Sequence, residues 1–161
     1  MKISVRSKNG ADLSTFDRKV IKMATVFYAN QLMSPKLCKS LEIKINIHHD
    51  YKHQTGFLGD VVPLDEGETR RPKEFEMNLD RQHVLKKILI SLAHEIVHIK
   101  QYAKCELKFH DTKDVVTFQK KKYTDDSYWD SPWEIEAYGR EPGLWQKFRP
   151  IYKLLLLQNR K

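Results

Sequence analysis

Apolar residues along this chain recur with two periods, and the switches between them divide it into elements. Strict alternation runs from Leu41 to His48: Leu41, Ile43, Ile45 and Ile47 are apolar, Glu42, Lys44, Asn46 and His48 polar. That pattern predicts a half-buried strand. Phe75, Met77 and Leu79 alternate with Glu74, Glu76 and Asn78 in a second strand, whose charged outer positions suit a sheet edge. Ile3 to Arg6 reads as a short strand before the Asn9-Gly10 turn. Val61-Val62 reads as another, between loops rich in glycine, proline and charge over residues 50–73.

Helical spacing appears in three places. Phe16, Val20, Met23 and Phe27 follow Ser14-Thr15-Phe16-Asp17, an N-cap with an acid at N3, and predict a helix ending near Met33, before Ser34-Pro35. The strongest helix spans residues 82–104. Leu85, Ile88, Leu92, Ile96, Ile99 and Ala103 share one face, and Ile90, Ala93 and Val97 make the middle turns apolar nearly all round. Ser131-Pro132-Trp133-Glu134 opens a third helix that Pro142-Gly143 should break, leaving a final amphipathic helix from about Leu144 to Gln158. Val115 to Tyr123 fits a hairpin strand. The elements imply a single α+β domain over residues 1–161: a small, mainly antiparallel sheet packed on the 82–104 helix, with one helix before it and helices after it.

Composition changes this picture little. A chain that is 40% hydrophobic and 31% charged is globular, not disordered. No apolar run approaches the length of a membrane span, and Met1-Lys2-Ile3-Ser4-Val5-Arg6 lacks the apolar core of a secretory signal, so a cytoplasmic setting is expected. Cys38 and Cys105 are too few for a disulfide framework and read as free thiols. The formal charge of +8 invites polyanions only weakly. Arg70-Arg71, Lys86-Lys87, Lys120 to Lys122 and Arg160-Lys161 are scattered, Lys100, Lys104 and Lys108 make at most a stripe, and no zinc-knuckle, RNA-recognition or helix-turn-helix signature accompanies them. His48, His49 and His53 cluster after the first strong strand, but their spacing matches no common metal site, so structural or surface roles are expected.

Candidate chemistry sits inside the best helix. His94-Glu95-Ile96-Val97-His98 reads H-E-x-x-H. Side chains four apart on a helix stand one above the other, about 6 Å apart, so His94 and His98 can grip one ion. Both histidines point away from the main apolar stripe, and two buried imidazoles beside a carboxylate are hard to satisfy by packing alone. Glu95 flanks the site, where it could take a proton from water on the metal. A third ligand must come from elsewhere. Gln101 and Lys104 occupy the places of a metzincin continuation, which is therefore absent. His110 on a loop, and Glu134 or Glu136 on the later helix, are the alternatives.

His94-Glu95-x-x-His98 followed by Glu134-Ile135-Glu136-Ala137 resembles the gluzincins, zinc metallopeptidases whose third ligand is glutamate. With Gln101-Tyr102 and Pro132-Trp133 included, it resembles the compact metallopeptidases encoded by bacteriophages, over about residues 40–141. The resemblance implies zinc held by His94, His98 and Glu134, hydrolysis of a peptide or protein substrate with Glu95 as general base, and an oxyanion donor for which Tyr138, Tyr128 and His110 are open choices. It also implies that the Glu74 to Leu79 strand forms the rim where an extended peptide adds. An acidic residue four positions after the ligand glutamate is common in that family and is missing here, which leaves the orientation of the histidines unexplained.

Two other readings compete. A SprT-like protease acting near DNA would use His110 as third ligand, though Asp111 follows it where that family has glycine. A small binding or regulatory module could keep zinc for structure alone.

Overall fold

The computed structural model describes residues 1–66, 71–82, 84–110, 115–124 and 130–159. Four strands form the main sheet: β1 (Lys2–Lys8), β2 (Glu42–His48), β3 (Gly59–Pro63) and β4 (Glu74–Asp80), in the order β1-β2-β4-β3. One face of this sheet is apolar. Ile43, Ile45 and Ile47 of β2 and Phe75, Met77 and Leu79 of β4 are fully buried there. The opposite face carries the polar half of each alternation.

Helices α1 (Thr15–Leu32) and α4 (Leu85–Ala103) close the core together with β1, β3 and β4. Ser14 and Asp17 form the expected capping box at the start of α1, with bonds of 3.0 and 3.2 Å. Two one- to two-turn helices, α2 (Pro35–Ser40) and α3 (Tyr51–Thr55), fall where the pattern predicts no element. Helix α4 is buried from Ser91 to Ala103. It ends in a Schellman pattern, Glu106 N–H to Gln101 C=O at 2.7 Å and Cys105 N–H to Tyr102 C=O at 2.8 Å, with Cys105 at φ 55° in the place glycine usually takes.

A second sheet of β5 (Leu107–Phe109), β6 (Val115–Phe118) and β7 (Lys121–Thr124) is antiparallel throughout. Gln119 and Lys120, at φ 47° and 70°, make its two-residue turn; positive φ at both positions suits a tight hairpin. Helix α5 (Pro132–Gln158) completes the chain against α4 and α1.

The α+β class is as the pattern implies, but three details differ. First, the main sheet is not mainly antiparallel: β1 with β2 and β2 with β4 are parallel, and only β3 runs against β4. The long connections, α1 and α2 between β1 and β2 and α3 with β3 between β2 and β4, permit this direction, and alternation alone does not encode it. Second, the Glu74–Asp80 strand lies inside the sheet; the edge beside α4 is β3. Third, Pro142 and Pro150 lie within one continuous α5, so the chain ends in one helix and not two. Lys100, Lys104 and Lys108, which could at most make a stripe, do not. Lys100 is buried between Glu106 and Glu136, at 2.5 and 2.7 Å.

Neither cysteine forms a disulfide among the described residues; Cys38 is buried and Cys105 exposed. No described helix is long and apolar enough to cross a membrane.

Candidate metal centre

His94, Glu95 and His98 in the middle of α4 are all buried; the two histidines meet Glu134 in the first turn of α5, and Glu95 lies beside Gly59 of β3. Ser131 and Pro132 start α5, as their sequence predicts, but Ser131 makes no side-chain capping bond. Glu134, at the third helical position, is therefore not used in a capping box. Its carboxylate turns to the histidines, with Oε2 3.2 Å from His94 Nε2 and Oε1 3.5 Å from His98 Nε2. The two Nε2 atoms are 3.1 Å apart. His94, His98 and Glu134 offer one ligand atom each, all within 4.8 Å of one another, and this buried group could hold a metal ion.

The far sides of both rings are tied down. His94 Nδ1 lies 3.1 Å from Glu141 Oε2, and a carboxylate there can only accept, so Nδ1 carries hydrogen. His98 Nδ1 lies 2.8 Å from Gln101 Oε1. The Gln101 amide cannot be turned round, because its Nε2 donates to the Trp133 carbonyl at 2.9 Å and to Glu136 Oε2 at 3.1 Å. With both rings neutral, each Nε2 points a lone pair at the shared space, and Glu134 adds a third acceptor. In that state three converging acceptors form a site for a cation. Ligand atoms about 2.1 Å from a tetrahedral ion sit roughly 3.4 Å apart, close to the 3.1 Å between the two Nε2 atoms and the 3.2 Å from His94 Nε2 to Glu134 Oε2; the other Glu134 oxygen faces His98.

The same proximity shifts the titration of the metal-free groups. Burial opposes charge on His94, but its bonds to Glu134 and Glu141 and the nearby Glu95 outweigh this and raise it to about 9. His98 is also raised, by Glu134 and Glu95 against burial and the neighbouring His94. Burial pushes the Glu95 carboxyl up to about 7, against the pull of His98 and His94.

Glu95 lies at the inner end of a cleft of about 200 Å³ that also exposes His94, His98 and Glu134. One wall is β3. A Cβ on Gly59 would stand 3.0 Å from Glu95 Oε1 and 2.6 Å from Leu79 Cδ2, so only glycine allows the strand this close. The opposite wall is aromatic. Phe109 and Trp133 pack edge to face, 6.2 Å between ring centroids, and Tyr102 lines the same space.

The other residues singled out from sequence lie elsewhere. Glu136 is outside the cluster: against burial, Lys100, Gln101 and Arg140 hold its carboxyl down at about 2. His110 Nε2 meets Thr117 Oγ1 at 2.8 Å within the hairpin, outside the cluster. Tyr138 packs edge-on against His94, 4.5 Å between centroids, but does not line the cleft. Tyr128 and Asp111 fall outside the described residues. The sequence pattern gives Glu141 and Gly59 no role, and Gln101 enters only as a motif position. The signal for Glu141 was its place seven residues, two helical turns, after Glu134, visible only if α5 runs through Pro142.

No protein-family model, curated protein or solved structure matches this chain. The likeness to gluzincins rests on its two motifs.

Proposed function

We propose that the protein is a zinc-dependent peptidase in which His94, His98 and Glu134 hold the metal and Glu95 is the general base. One observation carries the reading: the buried carboxylate of Glu95 adjoins three convergent ligand atoms in one cleft. Two imidazoles and one carboxylate are a ligand set of catalytic zinc, with a position left for substrate or water. A zinc ion so held supplies a Lewis acid that polarises a carbonyl and eases ionisation of water.

Glu95 takes a proton from the attacking water at a carboxylate oxygen and returns it to the leaving nitrogen. Glu141 and Gln101 keep both imidazoles oriented throughout.

The substrate rim is β3. Bonds from Asp80 N–H to Leu58 C=O and from Leu64 N–H to Glu74 C=O set the phase of its pairing with β4. By the antiparallel alternation, the backbone groups of Gly59 and Val61 face the free edge. An extended peptide adding there would lie against Glu95 and the metal ligands. Of the phenols, Tyr102 lines the cleft and burial raises its pKa, which keeps it a donor; Tyr138 braces His94.

The Glu95→Gln variant should retain zinc and lose peptide hydrolysis by 10²-fold or more. Zinc retained with undiminished cleavage would overturn the proposal.

A further inference from the structure

The metal centre makes no use of the chain's positive surplus, a formal +8. Scattered in sequence, three of these cations are gathered by the fold. Lys86, from the first turn of α4, and Arg149 and Lys153, four residues apart on α5, line one cleft of about 330 Å³ with Trp145 and Tyr152. No acidic side chain lines it. None of the three cations has an ion-pair partner among the described residues. Lys86 Nζ instead stands over Trp145, 5.9 Å from the ring centroid, and the Trp145 and Tyr152 rings are 5.7 Å apart.

Like charges around a concave wall raise the local positive potential, and a ring set among them offers a surface on which a flat base can stack. We propose that this cleft binds single-stranded nucleic acid, with phosphates on Lys86, Arg149 and Lys153 and a base against Tyr152, which Trp145 backs. An anionic membrane is the poorer fit: it presents a flat surface, whereas the cleft is recessed and Trp145 is only 6% exposed. Helix α5 carries both this cleft and Glu134, with about 22 Å of helix between Glu134 and Arg149. The cleft is therefore separate from the metal centre, and it stands or falls independently of the peptidase reading.

The test is fluorescence anisotropy of a labelled oligothymidylate of roughly 15 nucleotides. Reversing Lys86, Arg149 and Lys153 to Glu together should weaken binding at least tenfold at about 50 mM salt. It should also make the log–log salt dependence shallower by about 2, near 0.7 for each phosphate contact. Reversing Lys8, Lys36 and Lys121, exposed elsewhere, changes net charge equally and should leave affinity within about twofold. Tyr152→Phe should bind as the parent does and Tyr152→Ala about fivefold or more weakly. Melting temperature and metal content verify folding, and Arg149→Glu alone replaces the triple variant if that unfolds. No oligonucleotide binding at low salt, equal loss in both triple variants, or capture by phosphatidylserine vesicles with the oligonucleotide unbound would each overturn the assignment.

Discussion

Gln101 is the residue whose replacement separates a tuned metal site from three ligands that merely meet. Its Oε1 accepts from His98 Nδ1, while its Nε2 holds the Trp133 carbonyl and Glu136 on α5. Leucine at 101 keeps the volume and removes all three bonds. The Trp133 carbonyl retains its place in the helical ladder and Glu136 retains Lys100 and Arg140, so the group left unsatisfied is the buried His98 Nδ1–H. Such a group costs about 1–3 kcal/mol, or a melting decrease of roughly 2–12 °C for a domain of this size. Losing an outer partner of a ligand histidine should weaken metal binding about 10–100-fold. Titration against a competing zinc chelator and thermal melting of metal-free protein read the two effects separately. The Gln101→Glu variant divides them further. Its carboxylate still accepts from His98, so zinc affinity should stay within about tenfold, while it faces Glu136 and should lower the melting temperature. If Gln101→Leu binds zinc as tightly as the parent, the fixed tautomer of His98 has no role and the argument fails.

Other outcomes follow from the same geometry. Gly59→Ala places a methyl 2.6 Å from Leu79 Cδ2 and 3.0 Å from Glu95 Oε1; it should cost about 1–3 kcal/mol by overpacking and cut turnover by displacing Glu95, and unchanged melting and turnover would refute the close approach. Without metal, His94 titrates near 9, above its ordinary value, so its bonds to Glu134 and Glu141 stabilise the protein fully below about 6.5 and fade as pH rises through 9. A metal ion held by His94 would have to displace that proton, so zinc affinity should rise up to about tenfold per pH unit over this window; calorimetry in two buffers should show proton release, and flat affinity would contradict it. Lys100→Met leaves Glu106 and Glu136 without their shared buried cation and should cost about 3 kcal/mol, the low end for a broken buried pair because Arg140 remains. Glu136 contributes stability that is present above about 4.5 and lost toward 2, so acid unfolding of this variant should begin at higher pH than in the parent; superimposable acid transitions would rule the network out as a stabilising element.

The parts legible in the sequence were those set by local chemistry. Alternation placed β2 and β4 within a residue or two, and Ser14 with Asp17 marked the start of α1. Four-residue spacing placed His94 over His98. Strand direction was not legible, because a side chain alternates identically in parallel and antiparallel pairs. The site's edge strand was only partly legible for a related reason: β3 is short and carries Gly59 and Pro63, so Val61-Val62 alone reads as strand and nothing in the pattern marks it as the edge in place of β4.

Pro142 is where local and tertiary terms conflict, and their balance completes the site. A proline inside a helix costs about 3 kcal/mol, and by that rule the helix should stop before Glu141. Beyond it, however, Leu144, Trp145 and Phe148 are buried in the core formed with α1 and α4. Full burial of a large apolar side chain stabilises by about 1.5–3 kcal/mol, so three of them outweigh one proline. Continuing the helix keeps Glu141 two turns from Glu134 on the same face, which is the separation needed for one carboxylate to meet Nε2 of His94 while the other meets its Nδ1. The acid missing at the fourth position after Glu134 is thus supplied at the seventh, and the packing of the far half of α5 holds it there.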